Sequence, residues 1–391
     1  MSEIVELTHD LVAIPSHEDE MAAGDFIESW LREETDTEVT RDEVGNVIAR
    51  RNHDGSEGNA DATSLALVGH HDVVPPADEQ ITDEGEYVVT ERDGRLYGRG
   101  TADMKGAVAA AMLAFRDADL AELSDADSSG SPELVFASFV GEEVGGEGAQ
   151  AAIERSSMSH QNPEDSETAI ENGFAPDYAV VGEGSTGYSG AGVTDVAVAH
   201  KGRRGSTVTA RGSAAHASEP EAGENAVYRA CDAVDVVRDL DFPAVEVLGE
   251  QVRGSVAVTE IGGGSAWNVI PKTCEVTVDE RTVPGERAAL ERVEGVEGVE
   301  WAVDQDLPPM ACDDESFAET VLAAADAPQS GSPELVTKPH ATDAGWLAEA
   351  GTTCVVCGAA EPGEAHTKDE SVGIEVLERC YEIYRGTAES F

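Results

Sequence analysis

The chain has 391 residues, which is more than one compact hydrophobic core usually supports, so we expect two domains. Its 79 acidic and 25 basic residues give a formal net charge of −54, which argues against binding to nucleic acid phosphates. The apolar runs are too many and too regular for a disordered chain, and the acids are spread along the chain instead of forming a tail for a basic partner. We therefore interpret the charge as adaptation to a high-salt cytoplasm, where salt screens the repulsion.

The first half of the chain alternates helical and strand-like patterns. Apolar spacing predicts a helix that ends near residue 15 and a second over 20–33, followed by short strands at 38–41 and 46–50. Three continuous apolar strands come next, in SLALVGHH, ELVFASFVGEE and PDYAVVGEG, with the Ala-rich helix GAVAAAMLAFRDA between the first two. Such strands are typical of a sheet that is buried on both faces.

From about residue 196 the pattern changes to alternating residues, which predicts half-exposed antiparallel strands at 197–212 and 254–282. Helices are expected at 224–240, 286–293 and 374–384. We therefore predict an α/β protein with a discontinuous catalytic domain, 1–194 and 305–391, around a mostly parallel sheet. An inserted α/β sandwich of ferredoxin-like type is expected at 195–304. The polar segments 52–64, 122–132 and 156–173 are expected to be surface insertions.

The apolar strands end in residues that can bind metal or transfer protons. His70 and Asp72 are two apart on a strand, so they can share a face while His71 points to the other. An aspartate in that place is suited to orient a metal-binding histidine. Glu142 and Glu143 are adjacent carboxylates, which repel each other unless a cation lies between them or one is protonated. The pair is therefore suited to a division of roles, in which one carboxylate binds a metal ion and its neighbour transfers protons.

Three more residues complete the candidate metal set. Asp103 precedes a helix, where an N-cap would also explain it, and Glu183 and His366 could each be plain loop residues. With His70 and Glu143 they form a nitrogen and carboxylate set without thiolates, which suits catalytic zinc. A bridging carboxylate could hold two ions about 3.5–4 Å apart.

Seven motifs, in order along nearly the full chain, resemble the co-catalytic zinc exopeptidase and deacylase family. The family includes acetylornithine deacetylase, succinyl-diaminopimelate desuccinylase, carboxypeptidase G-like enzymes and dipeptidases. The motifs are GHHDVVP, LYGRGTADMKG, GEEVGGEGA, VGEGS, GSAAHAS, WNVIP with DERT, and GEAHTKDES. The resemblance implies two divalent ions, zinc first and otherwise cobalt or manganese. The implied ligands are His70 and Glu183 for one ion, Glu143 and His366 for the other, and Asp103 as the bridge.

The resemblance also implies roles for residues that bind no metal. Asp72 would orient His70, and Glu142 would be the general base that moves a proton from the attacking water to the leaving amine. It implies a cis peptide bond between Asp103 and Met104. Two departures from the family pattern are His71, where a small or aliphatic residue is common, and the absence of proline and threonine after the glutamate of VGEGS.

The inserted domain would act as a lid and as the contact of a homodimer. His216 would reach across the dimer interface and stabilise the oxyanion, although a lone histidine in a polar turn is more often structural or solvated. Asn268 and Arg281 would bind the substrate, with Arg281 suited to a carboxylate.

We therefore expect a deacylase that removes an acyl group from a small N-acyl amino acid, of the desuccinylase or deacetylase type. A dipeptidase or carboxypeptidase with the same metal centre is the first alternative. A catalytically inert binding relative is the second, and the intact candidate set argues against it. Neither nucleic acid nor membrane is expected as a partner.

Targeting and cysteine patterns favour the cytoplasm. The first residues lack the features of a secretion signal, and no run of about 18 apolar residues predicts a membrane span. The six cysteines are scattered, as in a reduced cytosolic protein. Cys354 and Cys357 form an isolated CxxC pattern, which we interpret as part of a buried strand.

Overall fold

The computed structural model describes residues 2–52, 63–120, 132–159 and 174–391, so the three predicted surface insertions lie almost entirely outside the described residues. The described chain divides into two compact units. The first comprises Met1–Ala199, Ala311–Lys338 and Thr342–Phe391, and the second comprises His200–Met310 and Pro339–Ala341. The predicted boundaries were 194/195 and 304/305.

The secondary structure comprises eight α-helices and eighteen strands among the described residues. The helices are α1 (Glu3–Val12), α2 (Met21–Glu34), α3 (Gly106–Asp117), α4 (Glu147–Ser159), α5 (Ala226–Arg238), α6 (Glu315–Asp326), α7 (Asp343–Glu349) and α8 (Ile374–Ser390). The strands are β1 (Glu38–Arg41), β2 (Val47–Asn52), β3 (Ser64–His70), β4 (Thr90–Arg92), β5 (Arg95–Tyr97), β6 (Glu133–Phe139), β7 (Tyr178–Val181), β8 (Val196–His200), β9 (Gly202–Arg211), β10 (Ala244–Val247), β11 (Glu250–Arg253), β12 (Ser255–Gly263), β13 (Thr273–Thr282), β14 (Val299–Leu307), β15 (Met310–Ala311), β16 (Leu335–Lys338), β17 (Thr353–Val356) and β18 (Ser371–Gly373).

A large sheet forms the centre of the first unit. Its strand order is β1-β2-β6-β3-β7-β17-β8-β15, with β16 paired to β8. The four strands β6, β3, β7 and β17 run parallel, whereas β1 and β2 are antiparallel to their neighbours. Every residue of β3 is buried, as its continuous apolar sequence predicts for a sheet covered on both faces. The predicted mostly parallel sheet is confirmed.

Helix α3 shows how small side chains allow the sheet to be covered closely. All of its residues from Gly106 to Phe115 are buried, and five of these ten are alanines. The helix packs against β3 and β6 of the sheet and also against α1 and α8. Cys354 lies in strand β17 and Cys357 directly follows it, and both are buried, in agreement with the structural interpretation of the CxxC pattern. Within the described residues, no helix is both long and apolar enough to cross a membrane.

The second unit has a four-stranded antiparallel sheet in the order β12-β13-β9-β14. Helix α5 packs on this sheet, and their apolar residues share one buried cluster with Leu290 and Val293. The predicted helix at 286–293 is wrong, because the segment forms a 3₁₀ helix over Leu290–Gly295. Val283 and Glu286 form a β-bridge around a turn at Pro284 and Gly285, with Gly285 at a φ of +77°, so the first residue of the predicted helix is extended.

One predicted strand region is divided between the two sheets. The segment 197–212 was expected to consist of half-exposed strands. Instead β8 is buried throughout and pairs with β17 in the large sheet, while β9 alternates between buried and half-buried residues in the small sheet. Of these two strands, only β9 shows the predicted alternation of burial. The two strands are separated by a single residue, Lys201. The last helix, α8, runs to Ser390 and exceeds its predicted end at residue 384.

Candidate metal centre

The parallel strands bring the candidate residues to one edge of the large sheet. His70 is the last residue of β3, Glu142 and Glu143 follow β6, and Glu183 follows β7. These three strands are direct neighbours and parallel, so their carboxyl ends lie side by side. In open α/β sheets, ligand-binding sites lie at the carboxyl ends of the strands. His366 lies on the loop between β17, the next parallel strand, and β18.

His70, Asp103 and Glu183 form a first ligand cluster. The Nε2 atom of His70 lies 3.2 Å from Asp103 Oδ1 and 3.3 Å from Glu183 Oε1. The side chain of His70 is only 1% exposed, and those of the two carboxylates are 15% and 11% exposed. One nitrogen and two carboxylate oxygens therefore converge on one nearly buried point.

Asp103, Glu143 and His366 form a second ligand cluster. The Nε2 atom of His366 lies 3.1 Å from Asp103 Oδ2 and 2.9 Å from Glu143 Oε1. Asp103 therefore offers Oδ1 to the first cluster and Oδ2 to the second. This is the arrangement of a bridging carboxylate. The peptide bond between Asp103 and Met104 is cis, as the family resemblance implies.

The geometry of both clusters fits a divalent cation. Zinc bonds of about 2.0–2.2 Å imply about 3.3–3.6 Å between neighbouring ligand atoms of a tetrahedral site. The four separations just given, 2.9–3.3 Å, lie at or slightly below this range. The donors are imidazole and carboxylate without thiolate, a set that zinc, cobalt and manganese accept.

The electrostatics of the clusters favour added positive charge. Burial alone would lower the pKa of His70, but Asp72, Asp103 and Glu183 outweigh it and hold that pKa well above its usual value. The side-chain contacts of His366 with Asp103 and Glu143 raise its pKa to about 10. Both histidines are thus surrounded by negative charge, which is the environment that a bound cation would neutralise.

Glu142 lies beside the first cluster without joining it. Its Oε2 atom is 4.0 Å from His70 Nε2, and its side chain is 16% exposed. Burial raises the pKa of Glu142 well above its usual value, and the nearby carboxylate of Glu183 adds to the increase. A raised pKa makes a carboxylate a stronger proton acceptor, as a general base requires.

Asp72 connects the two strand ends by hydrogen bonds. Its Oδ1 lies 3.3 Å from His70 Nδ1, which also lies 3.1 Å from the backbone carbonyl oxygen of Asp72. The same Oδ1 accepts the backbone N–H of Glu142 at 3.2 Å, while Oδ2 accepts the N–H of Glu143 at 3.0 Å. The predicted contact with His70 is present. The contacts with the two glutamates were not predicted, and through them one carboxylate holds both the histidine and the Glu142–Glu143 turn.

Two further residues support the centre and were missed by sequence reasoning. The ammonium of Lys338 lies 3.0 Å from Glu183 Oε2. Glu370 Oε1 accepts the backbone N–H groups of Gly100 at 2.9 Å and Asp103 at 3.2 Å, and its other oxygen pairs with Arg99. Glu370 lies in the motif GEAHTKDES, four residues after His366, whereas the only sequence signal for Lys338 was a charge at the end of β16.

His71 does not compete as a ligand. Its Nδ1 lies 2.9 Å from the hydroxyl of Ser138, and the side chain is fully buried on the other side of the strand end. Burial lowers the pKa of His71 to about 3, so it stays neutral. Neither cluster contains it, which agrees with the prediction from strand alternation.

Three predicted residues belong to the second unit and not to either cluster. His216 is exposed and its Nδ1 lies 2.6 Å from Ser218 Oγ. The backbone carbonyl of Asn268 accepts the N–H of Ala217 at 2.9 Å, so Asn268 lies near His216 in the fold. Arg281 donates to Asp279 at 2.8 Å. The substrate and oxyanion roles of these residues stay predictions.

Comparison with known proteins identifies the family. The sequence profile of peptidase family M20/M25/M40 matches residues 66–390, which include every residue of both clusters. The chain belongs to this family. It is therefore a hydrolase that acts on amide bonds, and the resemblance on which the sequence analysis relied is confirmed.

Curated relatives and solved structures agree with this membership. A succinyl-diaminopimelate desuccinylase of Bordetella avium (strain 197N) is 27% identical over all of this chain and 99% of its own length. An acetylornithine deacetylase of Myxococcus xanthus is 31% identical over 86% of this chain and 81% of its own. The YXEP protein of Bacillus subtilis, described as a dinuclear metal binding peptidase from the M20 family, superposes with a TM-score of 0.68 at 17% identity, over 99% of this chain and 96% of that one.

Proposed function

We propose that this chain is a two-metal deacylase that hydrolyses the amide between a small acyl group and an amino acid nitrogen. The observation that carries the proposal is the shared Asp103, whose two carboxylate oxygens face two separate ligand clusters. Its relatives named desuccinylase and deacetylase, aligned over most of their lengths, favour deacylation.

The two ligand clusters would hold one ion each. His70 and Glu183 would bind the first, Glu143 and His366 the second, and Asp103 both. Zinc is the expected ion, with cobalt or manganese as alternatives that the same donors accept. Bound ions of this kind polarise a carbonyl and lower the pKa of an attacking water.

Glu142 would move the proton during hydrolysis. Its carboxylate would accept a proton from the attacking water and later donate it to the leaving amine, so the amine leaves in neutral form. Its place beside the first cluster and its raised pKa support this role. The two hydrogen bonds from the Glu142–Glu143 turn to Asp72 would keep the carboxylate in a fixed position.

The second unit would contribute a lid and the contact of a homodimer. We propose that His216 stabilises the oxyanion in the partner protomer and that Asn268 and Arg281 bind substrate. Mixing His216→Ala protein with Glu142→Ala protein tests this, because a mixed dimer would contain one intact shared site. Partial recovery of activity supports the proposal, and no recovery would place the complete site within one chain.

A substrate comparison tests the reaction itself. Metal-loaded protein should hydrolyse succinyl-diaminopimelate or acetylornithine, and protein stripped with a chelator should lose the activity until metal is restored. The second candidate is a peptidase, which the structural similarity to a B. subtilis M20 peptidase supports. Turnover of dipeptides without turnover of either N-acyl amino acid would contradict the deacylase proposal.

The acidic composition would adapt this enzyme to a high-salt cytoplasm. With a net charge of −54, self-repulsion destabilises the compact state unless salt screens it. We expect the free energy of unfolding to rise by at least about 3 kcal/mol between about 0.1 M and about 3 M KCl. Denaturant unfolding at each salt concentration measures this, and a stability that is independent of salt would refute the adaptation.

A further inference from the structure

Lys338 brings an ammonium group into the first ligand cluster. It is the last residue of β16, and its side chain is only 6% exposed. A lysine this buried keeps its charge only when a partner compensates the loss of water. The partner is Glu183, whose Oε2 lies 3.0 Å from the ammonium nitrogen.

The two oxygens of Glu183 therefore have different environments. Oε1 lies 3.3 Å from His70 Nε2, on the side where the ligand atoms of the cluster converge, and Oε2 is paired with Lys338. A carboxylate with both oxygens free can bind a cation through one oxygen or through both. A carboxylate with one oxygen in a buried ion pair has only the other to offer.

The second ligand cluster lacks this restraint. Glu143 Oε1 lies 2.9 Å from His366, and among the ion pairs of the described residues Glu143 has no lysine or arginine partner. Of these two ligand glutamates, only Glu183 is paired with a buried ammonium group.

We propose that Lys338 is a positioning residue that restricts Glu183 to a single ligating oxygen. The proposal rests on the two-metal function proposed above. A second oxygen from Glu183 would add a donor to the first ion and occupy a position that a catalytic site leaves open for water or substrate. The ion pair would thus keep the coordination number of that ion low.

Visible absorption of the Co²⁺-loaded protein tests the proposal without any substrate, because the absorption weakens as the coordination number of Co²⁺ rises. The variants are Lys338→Met, which removes the charge at similar length, and Lys338→Arg, which retains a cationic donor. Lys272→Met is the matched control, since Lys272 is exposed in the second unit. We expect weaker absorption per bound ion in Lys338→Met and near wild-type absorption in Lys338→Arg and in the control.

Steady-state kinetics provide a second measurement on the same proteins. We expect kcat of Lys338→Met to fall about 10–100-fold at full metal loading, with KM changed little and with recovery in Lys338→Arg. An unchanged spectrum in Lys338→Met would overturn the proposal. A rise in KM with unchanged kcat would also overturn it, and would make Lys338 a binding group for a substrate anion.

Two checks keep the outcome unambiguous. Thermal unfolding shows whether Lys338→Met is folded, and Lys338→Gln replaces it in both measurements if it is not. Because the spectra need only Co²⁺, they can contradict the role of Lys338 even if the protein proves to be an active deacylase. Conversely, a wild-type protein that binds two ions but hydrolyses no N-acyl amino acid would refute the proposed function and leave the spectral result valid.

Discussion

The two ligand clusters share Asp103 but differ in how firmly they are held. The His70 side chain is 1% exposed, and Asp72 lies 3.3 Å from its Nδ1. The His366 side chain is 51% exposed and lies on a loop, at a φ of +63°. The first cluster is thus preorganised inside the sheet edge, whereas the second depends on a loop at the surface. Preorganised ligands hold an ion with less ordering cost, so we expect the first ion to bind more firmly.

The largest effect is expected where the two clusters meet. Asp103→Ala removes one ligand from each cluster, so the difference in how firmly the two clusters bind their ions should disappear. We expect loss of bound metal from both clusters and a fall in kcat of more than about 10³-fold, because several kcal/mol of transition-state stabilisation depend on the ions. Metal analysis after dialysis together with initial rates measures both. Two ions per chain in this variant would show that Asp103 is not the bridge.

Removal of a single histidine should separate the clusters. In His366→Ala we expect one ion per chain to remain after dialysis, held by the buried cluster, and kcat to fall at least about 10²-fold. Titration of metal-free protein with Zn²⁺ gives the stoichiometry and the affinity. Loss of both ions from His366→Ala would contradict the expectation that the first cluster binds its ion more firmly. Weaker binding of the ion at the first cluster than at the second cluster in wild-type protein would also contradict it.

A smaller effect is expected from the residue that supports the first cluster. Asp72→Asn keeps the size of the side chain but weakens the hold on His70 and on the Glu142–Glu143 turn. We expect both ions to bind at saturating metal and kcat to fall about 10–100-fold. The exposed Asp232→Asn in the second unit is the control. Equal activity of Asp72→Asn and the control would show that the contacts of the Asp72 carboxylate are not needed for catalysis.

The strand-end residues of the centre could be predicted because parallel strands have a simple geometry. Continuous apolar runs predict buried parallel strands, and polar residues directly after them must then meet at one edge. His70, Glu143 and Glu183 follow this rule. The rule could not find Lys338, because β16 lies outside the parallel group and its partner Glu183 is 155 residues away.

Other parts of the fold depend on contacts that no local pattern reveals. β8 and β9 are separated by one residue, yet they belong to different sheets. The segment 286–293 has apolar residues at helical spacing, but Glu286 forms a β-bridge with Val283 and only a 3₁₀ helix follows, over Leu290–Gly295. For His216, Asn268 and Arg281, the sequence offered only the family resemblance, and their roles need experiments on substrate binding.

The most direct test of the account is Glu142→Ala, because Glu142 lies beside the first ligand cluster and belongs to neither cluster. Metal content and kcat are measured on the same preparation, with the exposed neighbour Glu147→Ala as the control. The account predicts two ions per chain and a fall in kcat of about 10²–10⁴-fold, as expected for loss of a general base. Full activity in Glu142→Ala, or loss of the ions together with the activity, would contradict it.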